Sequence, residues 1–291
     1  MKLSVFVVTY NQEKYIAQCL DSILMQNVDF EYEIVIGEDC STDSTALICD
    51  EYAKKHANIV VYHHSKNLGL VKNWEFVLNK CRGEYIAMIE GDDYWINPNK
   101  LQQQVSWLDS HPDYALTFTN VDIVGNSSYS HEPSFVHLHT GDYSMRDVAE
   151  TWTILSSTVV FRNQQKIFTY PKWIYFCDTY TFLTIGLSGK MYCLDEKYTA
   201  YRRHEDNLSK TDNSDITYKF SIQYREMAKC FPQCKDVLNK KEEAYLSNLI
   251  YDKNFPNAWR ARLRYMCIHK HLFFSRFLLS TIYSYMLKCY K

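Results

Sequence analysis

Three carboxylates, those of Glu90, Asp92 and Asp93, lie within four consecutive residues. They directly follow an apolar run at positions 85–89. Negative charges this close repel one another, so we expect something positive to compensate them. A divalent cation bound by these oxygens would do so, and it would keep coordination positions open for the oxygens of a phosphate. The alternative is an acidic turn in water that caps the helix after it.

The elements that would position these carboxylates alternate in type along the first hundred residues. Short apolar runs, rich in β-branched residues and separated by helical periodicity, predict strands at residues 3–8, 32–36, 59–62 and 85–89. Strands that alternate with helices are typical of βαβ units and therefore of a parallel sheet. Ligands bind beyond the carboxyl ends of such strands. Glu38 and Asp39 follow the second strand, so they are further candidates for the site.

The second half of the chain continues this α/β pattern and then becomes helical. We predict a helix at residues 97–110, strands at 114–124 and 156–161, a helix at 182–187, and extended segments at 190–194 and 198–202. From about residue 214 the periodicity is helical to the end of the sequence. The sequence therefore predicts an α/β domain over residues 1–212 and a helical extension over residues 213–291.

Composition limits the class of partner and the compartment. The formal net charge of −2 at pH 7 argues against nucleic-acid binding. The ten cysteines contain no CxxC pair and no zinc-type spacing, and the sequence has no secretory signal before the first predicted strand. Reduced cysteines are typical of the cytosol, so we expect a cytoplasmic protein.

The C-terminal segment is aromatic and basic. Within residues 271–291 the longest uncharged stretch is 277–287, which is too short for a membrane span of about 20 residues. Its composition instead suits a helix that lies in the interface of an anionic membrane. This predicts a peripheral contact with the cytoplasmic face of the inner membrane. The alternative is a helix that packs on the body of the protein with its basic face in water.

Four segments resemble, in their order and at their intervals, the motifs of the family 2 glycosyltransferases. They are residues 7–11 (VVTYN), 34–45 (IVIGEDCSTDST), 67–69 (NLG) and 83–93 (GEYIAMIEGDD). This family has the GT-A fold, a Rossmann-like and mostly parallel sheet flanked by helices, and most members are inverting enzymes that use a nucleotide-diphospho-sugar. The resemblance implies a nucleotide-sugar-binding half over residues 1–124 and an acceptor and catalytic half over residues 125–212.

The resemblance also implies roles for individual residues. Asp39 would hydrogen-bond the base, which indicates uracil and a UDP-sugar, whereas Asp92 and His204 would bind Mg²⁺ or Mn²⁺. Arg202 would neutralise the diphosphate. The residues implied to bind the donor are Thr9, Asn11, Glu13, Asp39, Asn67, Glu90 and Arg202. Apart from the resemblance, a single histidine such as His204 is more often a surface residue.

The sequence departs from the family pattern at three places. Glu38 and Glu90 stand where the family has aspartate. A glutamate is one methylene longer, so its contact with donor or metal can be indirect. Residues 71–74 (VKNW) stand where the family usually has Ala-Arg-Asn after the turn at Asn67, so the resemblance does not establish a pyrophosphate contact at that position.

An inverting transfer also needs a general base that takes the proton of the acceptor hydroxyl. The family carries this base at the start of a helix in the second half, and the matching residue here is Asp178. The alternative is an aspartate that caps the helix. Residues 156–158, together with Arg162, would border the acceptor site or belong to a core strand.

These inferences predict a metal-dependent enzyme that moves a sugar, with inversion, to a hydroxyl of a glycan or lipid-linked saccharide in surface polysaccharide synthesis. A nucleotidyltransferase is one alternative, but it would carry a glycine-rich basic loop after the first strand, which residues 9–13 lack. A degenerate relative that binds a nucleotide or glycan without turnover is another. The presence of Asp39, Asp92, Asp178 and His204 argues against that second alternative.

Overall fold

The computed structural model describes residues 1–125, 138–151, 154–164, 168–204, 214–250 and 258–269, together with Leu278 and Thr281. Within these residues the chain forms nine strands: β1 (Leu3–Thr9), β2 (Tyr32–Glu38), β3 (Ile59–His63), β4 (Tyr85–Glu90), β5 (Tyr94–Trp95), β6 (Tyr114–Val124), β7 (Gly141–Tyr143), β8 (Val160–Arg162) and β9 (Lys190–Arg202). The same part of the chain forms nine α-helices: α1 (Ile16–Leu24), α2 (Thr45–Lys55), α3 (Leu70–Lys80), α4 (Lys100–Ser110), α5 (Met145–Glu150), α6 (Asp178–Gly186), α7 (Ser214–Cys230), α8 (Lys235–Leu249) and α9 (Ala258–Ile268).

All these strands belong to one mixed sheet. The order across it is β3-β2-β1-β4-β8-β6-β9-β5, and β7 pairs with β9 beside this path. The first four strands are parallel, as the βαβ pattern predicts, and β6 and β9 form a further parallel pair. β8 runs antiparallel to its two neighbours, β4 and β6. The start of β8 therefore lies at the edge of the sheet where β4 ends.

The core covers both faces of the first half of the sheet. Every residue of β1 is buried, and so are nearly all residues of β2 and β4, which accounts for their continuous apolar runs. On one face α1 packs through four residues at helical spacing, Ile16, Cys19, Leu20 and Ile23. On the other face Trp74 of α3 packs on Phe6, with ring centroids 4.9 Å apart.

The strand predicted at residues 156–161 differs from the structure. Ser156–Thr158 form a 3₁₀ turn, and the strand itself covers Val160–Arg162. The three residues of the turn are buried although they are polar, since their hydroxyl groups find hydrogen-bond partners on other segments or in the turn itself. Burial without apolar side chains is the reason that hydrophobic pattern alone misplaces this segment.

Two further elements are longer than predicted. The helix expected at residues 182–187 begins at Asp178. Its first turn carries no apolar periodicity, so the sequence pattern did not reveal the earlier start. The two extended segments expected at 190–194 and 198–202 form a single strand, Lys190–Arg202. The exposed charged residues between them, 195–197, interrupt the apolar pattern without interrupting the strand.

The chain divides into two compact units, Met1–Glu205 and Asp206–Lys291. The first contains the sheet. In the second, a small core forms around Leu246, Leu249 and Ala261. The boundary predicted at residue 212 lies outside the described residues, as does nearly all of the segment 271–291 that we predicted to contact a membrane. Among the helices that the structure describes, none has the length and apolar character needed to cross a membrane.

Candidate active site

The carboxyl ends of β1, β2 and β4 bring three of the four motifs to one edge of the sheet. In the strand register, Thr9 of β1 lies beside Glu38 of β2, and Val8 lies beside Glu90 of β4. The backbone amide of Asp39 also donates to the carbonyl of Thr9 at 3.1 Å. Parallel pairing therefore places the segments around residues 9, 38 and 90 side by side.

Hydrogen bonds hold the turn after β1 against the segment before α2. Asn11 has a φ of 52°, a left-handed conformation that asparagine tolerates better than most residues. Its backbone amide donates to Ser41 Oγ at 2.9 Å, and its side-chain Oδ1 accepts from the backbone amide of Thr42 at 2.8 Å. Glu13 Oε2 accepts from the Ser44 amide at 2.9 Å. Asn11 and Glu13 thus join the first motif to the second, and both side chains are exposed at the proposed donor side.

Asp39 is buried at the end of β2, and both of its carboxylate oxygens accept backbone hydrogen bonds. Oδ1 accepts from the Leu68 amide at 2.7 Å, and Oδ2 accepts from the Gly69 amide at 2.9 Å. Asn67 Oδ1 also accepts from the Gly69 amide at 2.9 Å. Asp39 therefore fixes the turn that carries Asn67. It can still accept a further bond from a ligand, since each carboxylate oxygen has two lone pairs.

Glu38, beside Asp39, is buried and supports the same segment. Its Oε1 accepts from the Ser41 amide at 2.6 Å, and its Oε2 lies 3.2 Å from His63 Nδ1. The other ring nitrogen of His63 lies 2.9 Å from Asp50 Oδ1. Burial acts to lower the pKa of His63, but the hydrogen bonds and charges of these two carboxylates outweigh it and raise the pKa. A protonated His63 would thus bridge Glu38 and Asp50.

Gly91 lies where the first motif meets the acidic turn. A Cβ atom at this position would lie 2.4 Å from Gln12 Oε1 and 2.9 Å from Thr9 Oγ1. These two side chains are themselves hydrogen-bonded, with Thr9 Oγ1 donating to Gln12 Oε1 at 2.8 Å. The absence of a side chain at Gly91 is therefore what allows the acidic residues to approach the turn after β1 so closely.

The acidic turn is bonded at both ends to the second half of the chain. Glu90 Oε1 accepts from Ser156 Oγ, and Asp93 Oδ2 accepts from Ser157 Oγ at 2.7 Å. Asp93 Oδ1 accepts from the backbone amide of Arg202 at 2.9 Å. The Ser156–Thr158 turn and the end of β9 therefore both hold residues 90–93 in place.

Electrostatics at the acidic turn are unfavourable for so many charges. Burial, followed by the charges of Asp93, Asp178 and Asp92, raises the pKa of Glu90 well above its usual value. Burial and the charge of Asp92 raise the pKa of Asp93 to about 8. Four carboxyl groups thus share one small region, which is the condition under which a bound cation is most favourable.

Asp92 and His204 form the pair that could bind such a cation. Asp92 Oδ2 lies 3.1 Å from His204 Nε2, and the two side chains are 17% and 13% exposed. Carboxylate oxygen is the ligand type that Mg²⁺ and Mn²⁺ prefer, and neutral imidazole is a common nitrogen ligand. In the described part of the chain no three His, Cys, Asp or Glu side chains form a cluster that could hold a metal by themselves. The pair therefore fits a cation whose other ligands are donor phosphates and water.

The Arg202 guanidinium lies between two aromatic rings next to this pair. Its carbon is 4.8 Å from the centroid of the Tyr15 ring and 5.0 Å from that of the Tyr94 ring. Its Nε donates to the carbonyl of Asp92 at 2.9 Å, and a terminal nitrogen donates to Gln18 Oε1 at 2.6 Å. Arg202 therefore orients the acidic turn and places positive charge beside it.

Asp178 is the first residue of α6 and belongs to the same region. Burial raises its pKa to about 6, although a backbone hydrogen bond opposes the change. Its charge in turn raises the pKa of Glu90, so the two carboxyl groups are within electrostatic range of each other. A carboxyl group with this pKa is ionised at neutral pH and is a stronger base than an ordinary aspartate.

The structure brings the sequence-predicted residues together, and it adds several that the sequence did not single out. Gln12, Tyr15 and Gln18 contact Thr9, Arg202 or His204 from the turn and helix after β1. Gln12 and Tyr15 belong to the stretch that follows the first motif, so proximity in sequence was the available signal. For Gln18 no sequence signal existed, because its partner is 184 residues away.

Family comparison agrees with the motifs and the geometry. The chain matches glycosyl transferase family 2 over residues 4–169 and belongs to that family. The uncharacterized protein Rv1520 of Mycobacterium tuberculosis is 33% identical over 208 residues, which are 71% of this chain and 60% of that protein. The chain thus spans less than two thirds of the length of this relative. The poly(ribitol-phosphate) beta-N-acetylglucosaminyltransferase TarS of Staphylococcus aureus is 38% identical over 114 residues, 38% of this chain and 19% of TarS.

Two solved structures share the fold. The crystal structure of S. aureus TarS 1–349 in complex with UDP-GlcNAc has a TM-score of 0.70 and 23% identity, and the match covers 91% of this chain and 81% of that one. The mannosyltransferase PcManGT from Pyrobaculum calidifontis, in complex with GDP-Man and Mn²⁺, has a TM-score of 0.58 and 15% identity over 97% of this chain and 84% of that one. These matches confirm the predicted GT-A fold, with a central sheet flanked by helices.

Proposed function

We propose that this chain is an inverting glycosyltransferase, which moves a sugar from a nucleotide-diphosphate donor to a hydroxyl group of a glycan. The observation that carries the proposal is the pairing of Asp92 with His204 beside Glu90, in a member of family 2 whose Asp178 also acts electrostatically on Glu90. An acidic turn that only caps a helix would not need a histidine from a strand end more than a hundred residues away.

The donor side of the site is the edge formed by β1, β2 and α3. Asp39 would accept a hydrogen bond from the base, which favours uracil and thus a UDP-sugar, while Asn67 and Thr9 would contact the donor beside it. Asn11 and Glu13 would support it through their bonds to the segment before α2. Support for UDP also comes from TarS, whose solved structure has UDP-GlcNAc bound.

The diphosphate would lie against the acidic turn. Asp92 and His204 would hold Mg²⁺ or Mn²⁺, whose charge, when bound, stabilises the departing diphosphate. Glu90 would contact the ribose or a water of the cation. The Arg202 guanidinium adds a second positive charge next to the carbonyl of Asp92, so it lowers the repulsion between the carboxylates and the diphosphate.

Asp178 would act as the general base. Its carboxylate takes the proton of the acceptor hydroxyl while the acceptor oxygen forms a bond to the anomeric carbon of the sugar. The bond from that carbon to the diphosphate oxygen breaks, and its electron pair leaves with the nucleoside diphosphate. Because attack is opposite to the leaving group, the anomeric configuration is inverted.

The class of acceptor is inferred from the relatives, and the location in the cell is inferred from the composition of the sequence. The name of TarS describes transfer of N-acetylglucosamine to poly(ribitol-phosphate), which supports a role for this chain in surface polysaccharide synthesis on a glycan or lipid-linked acceptor. Residues 1–124 would bind the donor and residues 125–212 the acceptor. We further propose a cytoplasmic location, with the basic, aromatic segment 271–291 in peripheral contact with the membrane.

The first test is a thermal-shift screen of UDP, GDP and their sugars, each with and without Mn²⁺. A ligand that binds only the folded state raises the midpoint of unfolding. We expect stabilisation by UDP or UDP-sugars that requires Mn²⁺, and it would rank the donors for turnover assays. Folded protein that responds to no nucleotide would contradict the proposal and favour a degenerate relative.

The second test separates enzyme from binder. Asp178→Asn should lower turnover by about 10² to 10⁴ while it preserves donor binding, since only the proton acceptor is lost. Asp215→Asn is the matched control, because Asp215 is also an aspartate in the first turn of a helix but is exposed and belongs to the second unit. Equal turnover by the two variants would rule out Asp178 as the base.

A further inference from the structure

The Ser156–Thr158 turn links the acidic residues to the interior of the protein. All three residues are buried, with exposures of 2%, 0% and 0%. The turn precedes β8, and because β8 is antiparallel to β4, it meets the edge of the sheet where β4 ends. Adjacent serines of the turn therefore reach two different carboxylates, Ser156 bonding Glu90 and Ser157 bonding Asp93.

The layer behind the turn holds it in place. The carbonyl of Ser157 accepts from Trp95 Nε1 at 2.8 Å and from Thr199 Oγ1 at 3.0 Å. The carbonyl of Thr158 accepts from Gln104 Nε2 at 3.0 Å. These donors are buried, so a shift of the turn would break hydrogen bonds that water cannot replace. The serine hydroxyls are thus presented from a rigid support.

Residues 90–93 are consequently fixed at both ends. Both oxygens of Asp93 already accept hydrogen bonds, Oδ2 from Ser157 and Oδ1 from the Arg202 amide. Glu90 has one oxygen engaged by Ser156. Asp92 lies between these anchored residues, and its carboxylate lies against His204 instead. The direction of Asp92 therefore depends on the two anchors beside it.

We propose that Ser156 and Ser157 are positioning residues, which hold Glu90 and Asp93 so that Asp92 is the carboxylate of the acidic turn presented to the cation and the donor diphosphate. The inference rests on the proposed function and adds to it a division of labour within the turn. Asp93 serves as an anchor, Asp92 as the ligand, and Glu90 retains one oxygen for the donor.

The test compares Ser156→Ala and Ser157→Ala with the wild type in two measurements. The first is the Mn²⁺ concentration that gives half of the UDP-dependent thermal stabilisation, which we expect to rise about tenfold in each variant. The second is steady-state turnover, in which kcat should fall more than the KM for the donor changes. Ser221→Ala is the matched control, because Ser221 is also buried and donates its hydroxyl to a backbone carbonyl, but in the second unit. It should leave both quantities unchanged.

A double-mutant cycle asks whether each serine acts through its carboxylate. If Ser157 works through Asp93, then Ser157→Ala should have almost no further effect on kcat/KM in an Asp93→Ala background, in which the serine hydroxyl has already lost its partner. Ser156→Ala in a Glu90→Ala background forms the second cycle. This second cycle still tests the proposal if Ser157→Ala does not fold. Ser157→Thr retains a hydroxyl group, so it should keep most of the wild-type activity.

Two results would overturn the assignment of positioning roles while leaving the proposed function intact. One is an unchanged Mn²⁺ dependence in both folded serine variants, and the other is a pair of cycles in which the two effects simply multiply. A wild-type protein that neither binds UDP with Mn²⁺ nor transfers a sugar would instead refute the proposed function, and the positioning roles with it.

Discussion

Asp92 Oδ2 and His204 Nε2 lie 3.1 Å apart, although 112 residues separate them in the chain. β9 makes this contact possible, because it ends at Arg202, whose amide bonds Asp93 and whose side chain bonds the carbonyl of Asp92. His204 follows two residues later, beside the ring of Tyr15 at a centroid distance of 4.9 Å. The strand end therefore delivers an imidazole to the acidic turn, and most of that imidazole is shielded from water.

The pair leads to a prediction about the cation. His204→Gln should raise the Mn²⁺ concentration needed for UDP-dependent stabilisation by about tenfold or more, since it removes the nitrogen ligand. His269→Gln is the control, because His269 also pairs with a carboxylate, at 2.7 Å from Glu243 Oε1, but lies in the second unit. The measurement is a thermal-shift titration of Mn²⁺ at fixed UDP. Equal Mn²⁺ dependence in the two variants would exclude His204 as a ligand.

Asp178 leads to a prediction about pH. The carboxylate must be ionised to accept a proton, and burial raises its pKa to about 6. As the pH falls through this value the ionised fraction falls, so kcat/KM should drop about tenfold for each pH unit below it. Turnover is measured at saturating Mn²⁺ with UDP binding followed at each pH, so that loss of donor can be separated from loss of the base. A rate that stays flat down to about pH 5 would contradict the assignment.

Asp39 should affect stability and nucleotide binding together. Asp39→Asn leaves one side-chain oxygen for the two backbone amides of Leu68 and Gly69, and its NH₂ group then faces one of these donors, although Asn67 Oδ1 still accepts from the Gly69 amide. We expect a loss of about 1–3 kcal/mol in the free energy of unfolding, and weaker binding of UDP. Urea unfolding and calorimetric titration of UDP measure the two effects. Asp50→Asn, at a half-exposed carboxylate that pairs with His63, should leave UDP binding unchanged.

A side chain at Gly91 should destabilise the protein. The Cβ of Gly91→Ala would lie within 2.4 Å of Gln12 Oε1 and 2.9 Å of Thr9 Oγ1, so we expect about 1–3 kcal/mol of destabilisation. Because the nearer atom is the end of a side chain, Gln12→Ala in the same protein should restore part of the loss. Urea unfolding of the single and double variants is the measurement. An unaltered midpoint for Gly91→Ala would show that the turn can shift freely.

Cys40 should carry backbone strain. It has a φ of 61°, in the left-handed region that favours glycine. Cys40→Gly should therefore stabilise the protein by roughly 0.5–1 kcal/mol, after the greater freedom of glycine in the unfolded chain is allowed for. Cys40→Ala keeps a Cβ and should give no such gain. The measurement is the urea midpoint of unfolding for each variant. An equal midpoint for both would argue that the backbone at Cys40 is not strained.

The sequence was sufficient to predict the first half of the fold. Continuous apolar runs such as that of β1, and helical spacing such as that of α1, depend on local burial alone, so they can be recognised without coordinates. The candidate residues that follow parallel strands, Asp39 and the turn at Asp92, lie together for the same reason.

The contacts that organise the site could not be predicted in the same way. Ser156–Thr158 precede a strand rather than follow one, and they reach the site only because β8 is antiparallel. Arg202 contacts Tyr15, Gln18 and Tyr94. No pattern in the sequence links these residues to Arg202. Buried polar residues with distant partners carry no periodicity, so their roles become visible only when the chain is folded.

The position of β9 has a consequence for the order in which this protein matures. β9 is bonded to three other strands, β5, β6 and β7, and it supplies the residues that complete the acidic turn. Pairing between segments so far apart in sequence is slow to form. A nascent chain on the ribosome would thus assemble the first half of the sheet early, yet it would lack the Asp92–His204 pair until residues near 204 had emerged. Recovery of turnover during refolding should therefore lag behind recovery of helical and strand content.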